Sequence, residues 1–332
     1  MRLAHVLVAV ALAGVAAAHA ATPAWAADGH TASIPVREAR GDVAQMVTTW
    51  FLPPGAGPFP VVVFSHGRAP GADGRANVQI GVSRAQLHYW LAKGVAVVSP
   101  VRPGYGQSTG GDVENSGVHH DAAGRCTTRP DFSKTADAAV LTVSATLAWL
   151  HDQPWADTSD VLLVGQSVGG LTTVAAGALD PAGVVGYVNF AGGTGGNPER
   201  SPGASCDPGQ LRGIYARYGE ATHVPNLWIY AMNDQYADAV PDGDGHGLSH
   251  HAASLWAPAV GAFLSRIGFP KVAGSTVQAS CMPLWRGPTP TLARLSRSPL
   301  PRARHARQRH RQDPAARLPL GDGRPVPVLR AP

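Results

Sequence analysis

The sequence has little of what a metal ion or a nucleotide cofactor would require. Only three cysteines occur among its 332 residues. The histidine pairs His119-His120 and His250-His251 are not accompanied by cysteines or carboxylates in the spacing typical of zinc sites. No glycine-rich phosphate or dinucleotide loop follows the first predicted strand. The sequence therefore contains no pattern that predicts a metal ion or a cofactor.

Long apolar runs are also scarce, and the most prominent one begins near the N-terminus. Arg2 precedes the apolar stretch 3–18, which is shorter than the ~20 residues needed to cross a membrane. Two small-x-small sites follow it, at 18–20 and 24–26. The pattern favours a cleaved signal peptide over residues 1–26 rather than a membrane-spanning helix. We therefore expect an exported protein, periplasmic or secreted, with no membrane span in its mature form.

Acidic residues are nearly missing from the C-terminal segment. Residues 271–332 contain 12 Lys and Arg against 2 Asp and Glu, whereas residues 1–270 contain 15 against 20. The segment also has 10 prolines and no apolar periodicity. Three hypotheses fit it: an arm for anionic surfaces, a disordered solvated extension, or a segment translated out of frame. We favour the last two, so nucleic acid is not an expected partner, and residues 27–270 form one domain of ordinary size.

The most informative pattern is a Gly-x-Ser-x-Gly motif centred on Ser167. The four apolar residues at 161–164 predict a buried parallel strand, and the Ala-rich run up to Leu179 predicts a helix. A strand, a tight turn and a helix around this motif form the nucleophile elbow of an α/β-hydrolase. We therefore predict Ser167 as the nucleophile, held in a strained turn with its hydroxyl exposed.

The same motif occurs a second time, around Ser108. Pro100 and Pro103 lie just before this copy, and Gly111 and Asp112 follow it. Neither a strand nor a helix is therefore predicted beside it. The context selects Ser167 over Ser108.

The order of predicted elements indicates the fold class. Strands at 43–52, 60–65, 95–99, 161–164, 184–190 and 227–232 alternate with helices that begin near Ser83, 133, 168, 208 and 254. This alternation predicts an α/β fold with a mostly parallel sheet covered by helices on both faces.

A serine nucleophile needs a histidine base and an acid that orients the base. In this fold the chain order is Ser, then Asp or Glu, then His. Asp234 follows the predicted strand at 227–232, and His246 lies between glycines ahead of the last predicted helix. We predict Asp234 and His246 for these roles. The alternatives are a turn-capping role for Asp234 and a base supplied by His250 or His251.

The oxyanion hole needs two N–H donors near the serine. The backbone N–H of Val168, directly after the nucleophile, is one predicted donor. The second is expected in the loop after the strand at 60–65, from either Gly67 or Arg68. His66 is expected to be structural or part of this loop, because it precedes the nucleophile.

The loop at 101–130 leaves the strand that ends at Ser99, so it emerges at the same sheet edge as the nucleophile. We expect it to line the substrate pocket, with Tyr105 and Glu114 as substrate-binding residues. Cys126 lies in this loop and Cys206 in a loop beyond the elbow. In an oxidising compartment they predict a disulfide. The alternative is two isolated thiols.

Several segments together resemble a known group of enzymes. They are His66-Gly67, the run from Arg102 to Ser108, the run from Gly165 to Gly170, the run from Asn189 to Gly193, and Asn233-Asp234. They resemble exported α/β-hydrolases of the dienelactone-hydrolase-like kind, over about residues 45 to 268. The resemblance implies hydrolysis of a small-molecule ester or related acyl bond, with no cofactor.

The sequence departs from that group in two ways. Position 167 is Ser, whereas true dienelactone hydrolases use a cysteine, so their substrate does not carry over. Only 11 residues separate Asp234 from His246, where the fold usually has a helix and a strand. We therefore expect one late helix-strand unit to be lacking. The predicted function is a serine-dependent carboxylic ester hydrolase; a peptidase of the prolyl-oligopeptidase type and a non-catalytic binding protein are the alternatives.

Overall fold

The computed structural model describes residues 28–69, 71–197, 201–231, 234, 245–271 and 328–331. The strands in these residues are β1 (His30–Arg37), β2 (Val43–Phe51), β3 (Phe59–Ser65), β4 (Ala96–Pro100), β5 (Ala156–Gln166), β6 (Val184–Phe190), β7 (Gly196–Asn197), β8 (Ser201–Ser205), β9 (Asn226–Ala231) and β10 (Val328–Ala331). The helices are α1 (Ala72–Ala76), α2 (Arg84–Leu91), α3 (Phe132–Leu150), α4 (Val168–Gly177), α5 (Pro208–Ala221), α6 (Leu248–His251) and α7 (Ala253–Ile267). A short 3-10 turn, Gly245–Gly247, precedes α6.

Eight strands form one sheet in the order β1-β2-β4-β3-β5-β6-β9-β10. β2 runs antiparallel to both of its neighbours, and the other adjacent pairs are parallel. β7 and β8 form a separate antiparallel ribbon. The predicted α/β-hydrolase fold is confirmed: the sheet is mostly parallel, and the strand-turn-helix unit around Ser167 occupies its centre.

The central strands are apolar on both sides, which is why helices cover both faces of the sheet. In β3, Val62 and Phe64 point into one core together with buried residues of α2 and α7. Val61 and Val63 point into a second core on the other face, with residues of α3 and α4. All four side chains are fully buried. Because successive side chains alternate between the faces of a strand, the unbroken apolar run in β3 supplies both cores.

The structure differs from the sequence prediction at the two edges of the sheet. β1 was not predicted, because only Ile34 and Val36 of its eight residues are fully buried and the apolar signal is weak. At the other edge, β10 pairs in parallel with β9. The edge expected to lack a strand therefore carries one, formed by residues that the sequence assigned to a disordered or out-of-frame tail.

Two sequence predictions fall on residues outside the described part of the chain. They are the signal peptide at 1–26 and most of the C-terminal segment, including Cys281. Among the described residues, no helix combines the length and the apolar character needed to span a membrane.

Candidate active site

Ser167 lies at the turn between β5 and α4, with a backbone conformation of φ 57° and ψ −123°. A left-handed φ is uncommon for a residue other than glycine, and such strain persists only where the surroundings impose it. The N–H of Ser167 donates to Phe190 O at 3.0 Å, and the Gly193 N–H donates to Ser167 O at 3.2 Å. The predicted elbow is therefore present, with the serine fixed by the neighbouring strand β6 and the loop after it.

The two glycines of the motif are required by close backbone approach. A Cβ at Gly165 would lie 2.0 Å from Gly169 O, and one at Gly169 would lie 1.9 Å from Ser65 O. Both obstacles are backbone atoms, which no side-chain rotation can move away. The elbow therefore brings α4 into direct contact with β5 and with the end of β3.

Ser108, in the second copy of the motif, has a structural role. Its side chain is buried, and its Oγ donates to Val101 O at 2.6 Å and accepts from Val47 N–H at 2.9 Å. The hydroxyl is occupied in joining the loop after β4 to β2. This agrees with the choice of Ser167 on sequence context.

Asp234 and His246 meet as an acid–base pair. Asp234 Oδ1 lies 2.9 Å from His246 Nδ1, and the Asp234 side chain is 1% exposed. A carboxylate at Nδ1 favours the tautomer with its proton there and leaves Nε2 able to accept a proton. The structure therefore brings together two of the three predicted triad members in the arrangement that general base catalysis requires.

Gln166, for which the sequence predicts no role, connects the loop that carries His246 to the elbow. Its Nε2 donates to His246 O at 3.1 Å, and its side chain is buried. Because Gln166 directly precedes Ser167, this contact ties the main chain of His246 to the elbow. The residue type gave no signal in the sequence, since the variable position of the motif tolerates many side chains.

The predicted oxyanion donors lie beside the elbow. Val168 is the first residue of α4, where N–H groups have no helical acceptor. A Cβ at Gly67 would lie 2.6 Å from Gln166 Oε1 and 3.2 Å from Ser167 Cβ. The loop after β3 therefore passes directly against Ser167, and only glycine permits this approach without displacing the Gln166 side chain.

A network of charged and polar side chains, buried at Arg102, Tyr105 and Glu114, supports this loop. Arg102 Nε donates to Glu114 Oε2 at 3.0 Å, and the Tyr105 hydroxyl also donates to Glu114. Arg68 makes a bidentate pair with Asp112, with both distances 2.7 Å. Burial raises the pKa of Tyr105 to about 12, so its phenol keeps the proton that it donates.

The network corrects the prediction that Tyr105 and Glu114 bind substrate. Their exposures are 0% and 2%, and the Glu114 carboxylate is occupied by Arg102 and Tyr105. A side chain that is covered and fully paired cannot contact a ligand without breaking those bonds. We assign both residues to holding the loop after β4 in place.

Cys126 and Cys206 are joined in a disulfide across 80 residues of sequence. The bond ties the loop at 101–130 to the segment that precedes α5. His120 Nε2 lies 3.2 Å from Cys206 Sγ, so these three residues bring potential metal ligands within 4.8 Å of one another. While the sulfurs are bonded to each other they offer no thiolate, and thiolates are what a metal would need.

Comparisons with protein-family models and with curated proteins gave no match. Solved structures similar to this chain include the esterase Pf2001 from Pyrococcus furiosus, at 13% identity and a TM-score of 0.45, covering 72% of this chain and 93% of that one. Acetyl xylan esterase 1 from Thermoanaerobacterium sp. JW/SL YS485 is 17% identical with a TM-score of 0.43, covering 73% and 84%. A puromycin-hydrolyzing peptidase from Mycobacterium tuberculosis is 17% identical with a TM-score of 0.41, covering 72% and 34%. Likenesses this distant carry no argument about function.

Proposed function

We propose that this chain is a serine hydrolase that cleaves a carboxylic ester or a related acyl bond through an acyl-enzyme. The observation that carries the proposal is the hydrogen bond between Asp234 and His246, in a loop whose main chain is held by the residue preceding Ser167. An acid–base pair beside a strained serine is the arrangement that activates a hydroxyl for nucleophilic attack. The backbone of Val168 and of the loop after β3 supplies the surrounding N–H donors.

The proposed reaction has two halves. Ser167 Oγ attacks the ester carbonyl while His246 Nε2 takes its proton, and the resulting imidazolium is stabilised by Asp234. The imidazolium then gives the proton to the leaving alcohol, and the acyl group stays on Ser167. A water molecule, deprotonated by His246, attacks the acyl-enzyme, and the returning proton restores the serine as the carboxylic acid leaves.

A fluorophosphonate probe tests the proposal without knowledge of the substrate, because it needs only an activated serine. We expect labelling of the wild type and of Ser108→Ala, and none of Ser167→Ala. Ser108 is the matched control, since it lies in the same motif and its hydroxyl is already occupied. Absence of labelling in folded wild-type protein would favour the non-catalytic binding function instead.

Short p-nitrophenyl esters and peptide amides then separate the reaction classes. We expect ester hydrolysis that falls by on the order of 10³-fold or more in Ser167→Ala and in His246→Ala. Cleavage of amides without ester hydrolysis would replace the proposal with a peptidase.

We also propose that the protein is exported and belongs with the dienelactone-hydrolase-like enzymes, with serine in place of their cysteine. The apolar segment at 3–18 with its two small-x-small sites supports export. Mass spectrometry of the protein recovered outside the cytoplasm should give an N-terminus after Ala20 or Ala26.

A further inference from the structure

We propose that Arg102, held by Glu114, is the positioning residue of the oxyanion hole, and that it selects the Arg68 N–H as the donor that acts with Val168. This inference rests on the proposed function, because it assigns a role in the same reaction. It also decides between Gly67 and Arg68, which the sequence leaves open.

The guanidinium of Arg102 bonds to two successive carbonyls of the loop after β3. Nη1 donates to His66 O at 2.5 Å, and Nη2 donates to Gly67 O at 3.1 Å. The third nitrogen, Nε, donates to Glu114 Oε2 at 3.0 Å. The Arg102 and Glu114 side chains are each 3% exposed. A planar fork held by a buried carboxylate fixes both carbonyls in direction as well as in distance.

The direction of a carbonyl sets the direction of the next N–H. In a trans peptide the two bonds point to opposite sides of the chain. Because the carbonyls of His66 and Gly67 face Arg102, the N–H groups of Gly67 and Arg68 face away from it. Neither N–H has a hydrogen-bond partner among the described residues. A Cβ at Gly67 would lie 3.2 Å from Ser167 Cβ, so the chain that carries both donors passes directly beside the serine.

His66 adds a second donor to one of these two peptides. Its Nε2 accepts the backbone N–H of Arg102 at 3.1 Å, so the ring proton belongs on Nδ1, which lies 2.7 Å from Gly67 O. Burial, and then the charge of Arg102, holds the pKa of His66 well below its ordinary value, which keeps the ring in this neutral form. The Gly67 carbonyl therefore accepts hydrogen bonds from Arg102 and from His66, whereas the His66 carbonyl accepts one from Arg102. The peptide between Gly67 and Arg68 is the more firmly oriented, and its N–H belongs to Arg68.

Arg102→Lys is the direct test, because an ammonium group cannot span two carbonyls and a carboxylate in one plane. Removing an oxyanion donor outright lowers kcat by about 10²–10³-fold. Misorienting one should lower kcat for p-nitrophenyl acetate by about 10-fold or more, with KM within about 2-fold, since the oxyanion forms only in the transition state. The affinity for a boronic acid analogue of the tetrahedral intermediate should fall by the same factor. Arg217→Lys, an exposed arginine on α5, is the matched control and should match the wild type.

A merely structural role for Arg102 predicts a different result. It would lower the fraction of active protein, which the end point of fluorophosphonate labelling counts, and leave kcat per labelled site unchanged. An unchanged kcat per labelled site would overturn the proposal, and so would a rise in KM as large as the fall in kcat. Wild-type protein that neither labels nor hydrolyses esters would remove the proposed function and this inference together. If the wild type is active and Arg102→Lys has the same kcat, only the inference is removed and the proposed function stands.

A pair of variants at position 68 keeps the test decisive if Arg102→Lys does not fold. Arg68→Pro removes the backbone N–H together with the side chain, and Arg68→Ala removes only the side chain and its pairing with Asp112. We expect kcat of Arg68→Pro to be about 10²-fold below that of Arg68→Ala, with both proteins folded by circular dichroism. Equal kcat values would show that the Arg68 N–H is not the donor.

Discussion

Removal of the disulfide between Cys126 and Cys206 should cost stability and weaken substrate binding. The bond closes a loop of 80 residues, and the chain-entropy relation gives about 4.5 kcal/mol for a loop of that length. Measured losses for native disulfides are commonly about 2–5 kcal/mol. For a domain of this size, each 1 kcal/mol shifts the melting temperature by about 2–4 °C. The double variant Cys126→Ser, Cys206→Ser should therefore melt about 5–15 °C below the wild type.

The same variant should raise KM for a p-nitrophenyl ester more than it lowers kcat. The disulfide anchors the loop at 101–130, which we expect to line the substrate pocket, and it supplies no group to the proposed reaction. Its loss should therefore remove binding that the ground state and the transition state share. Cys281→Ser is the matched control, because it removes the third cysteine and leaves the disulfide intact. An unchanged melting temperature and KM, or two free thiols in the exported wild-type protein, would refute the reasoning.

Two further predictions concern Gln166 and His66. Gln166→Leu removes the donor to His246 O, so kcat/KM should fall by about 10-fold, the equivalent of about 1.4 kcal/mol, as measured by steady-state ester hydrolysis; an unaltered kcat/KM would contradict this role. Burial lowers the pKa of His66 well below 6.5 in the folded protein, so below about pH 6.5 the unfolded chain binds this proton and the folded protein does not. The stability that neutral His66 contributes to the folded protein is complete above that pH, and it is lost as the pH falls towards the lowered pKa of the folded protein. Thermal melts from pH 8 to pH 5 should show this loss, and His66→Asn should show less of it; equal slopes would count against it.

The elbow could be predicted from the sequence because its requirements are local. The turn around Ser167 needs small residues at fixed offsets, an apolar strand before it and a helix after it, and all of these lie within about twenty residues. The confirmed sheet class follows from the same kind of signal, since buried parallel strands are apolar on both faces. Edge strand β1 escaped prediction because one face of it is exposed and its composition resembles that of a loop.

The supporting contacts could not be predicted because they join residues that are distant in sequence. Arg102 reaches His66 O across 36 positions, and Gln166 reaches His246 O across 80. Nothing in the residue types distinguishes these residues from polar residues exposed to solvent. Glu114 is an example of a residue whose role was predicted wrongly for this reason. Its place in the loop at 101–130 predicted a substrate-binding residue, whereas in the fold its side chain is buried and paired with Arg102.

The short connection between Asp234 and His246 changes what would position the proposed base. In the usual arrangement a helix and a strand lie between acid and base, so that the sheet itself places the histidine. Here the His246 ring is held by Asp234 and its main chain by Gln166. The segment that follows is anchored by the buried residues Leu248 and Trp256, and Gln86 of α2 donates to Ser249 O at 3.3 Å. The position of the proposed base therefore depends on the packing of α6 and α7 against α2 and on its contacts with Asp234 and Gln166. Changes in that helical layer should affect the proposed reaction even though none of its residues takes part in it.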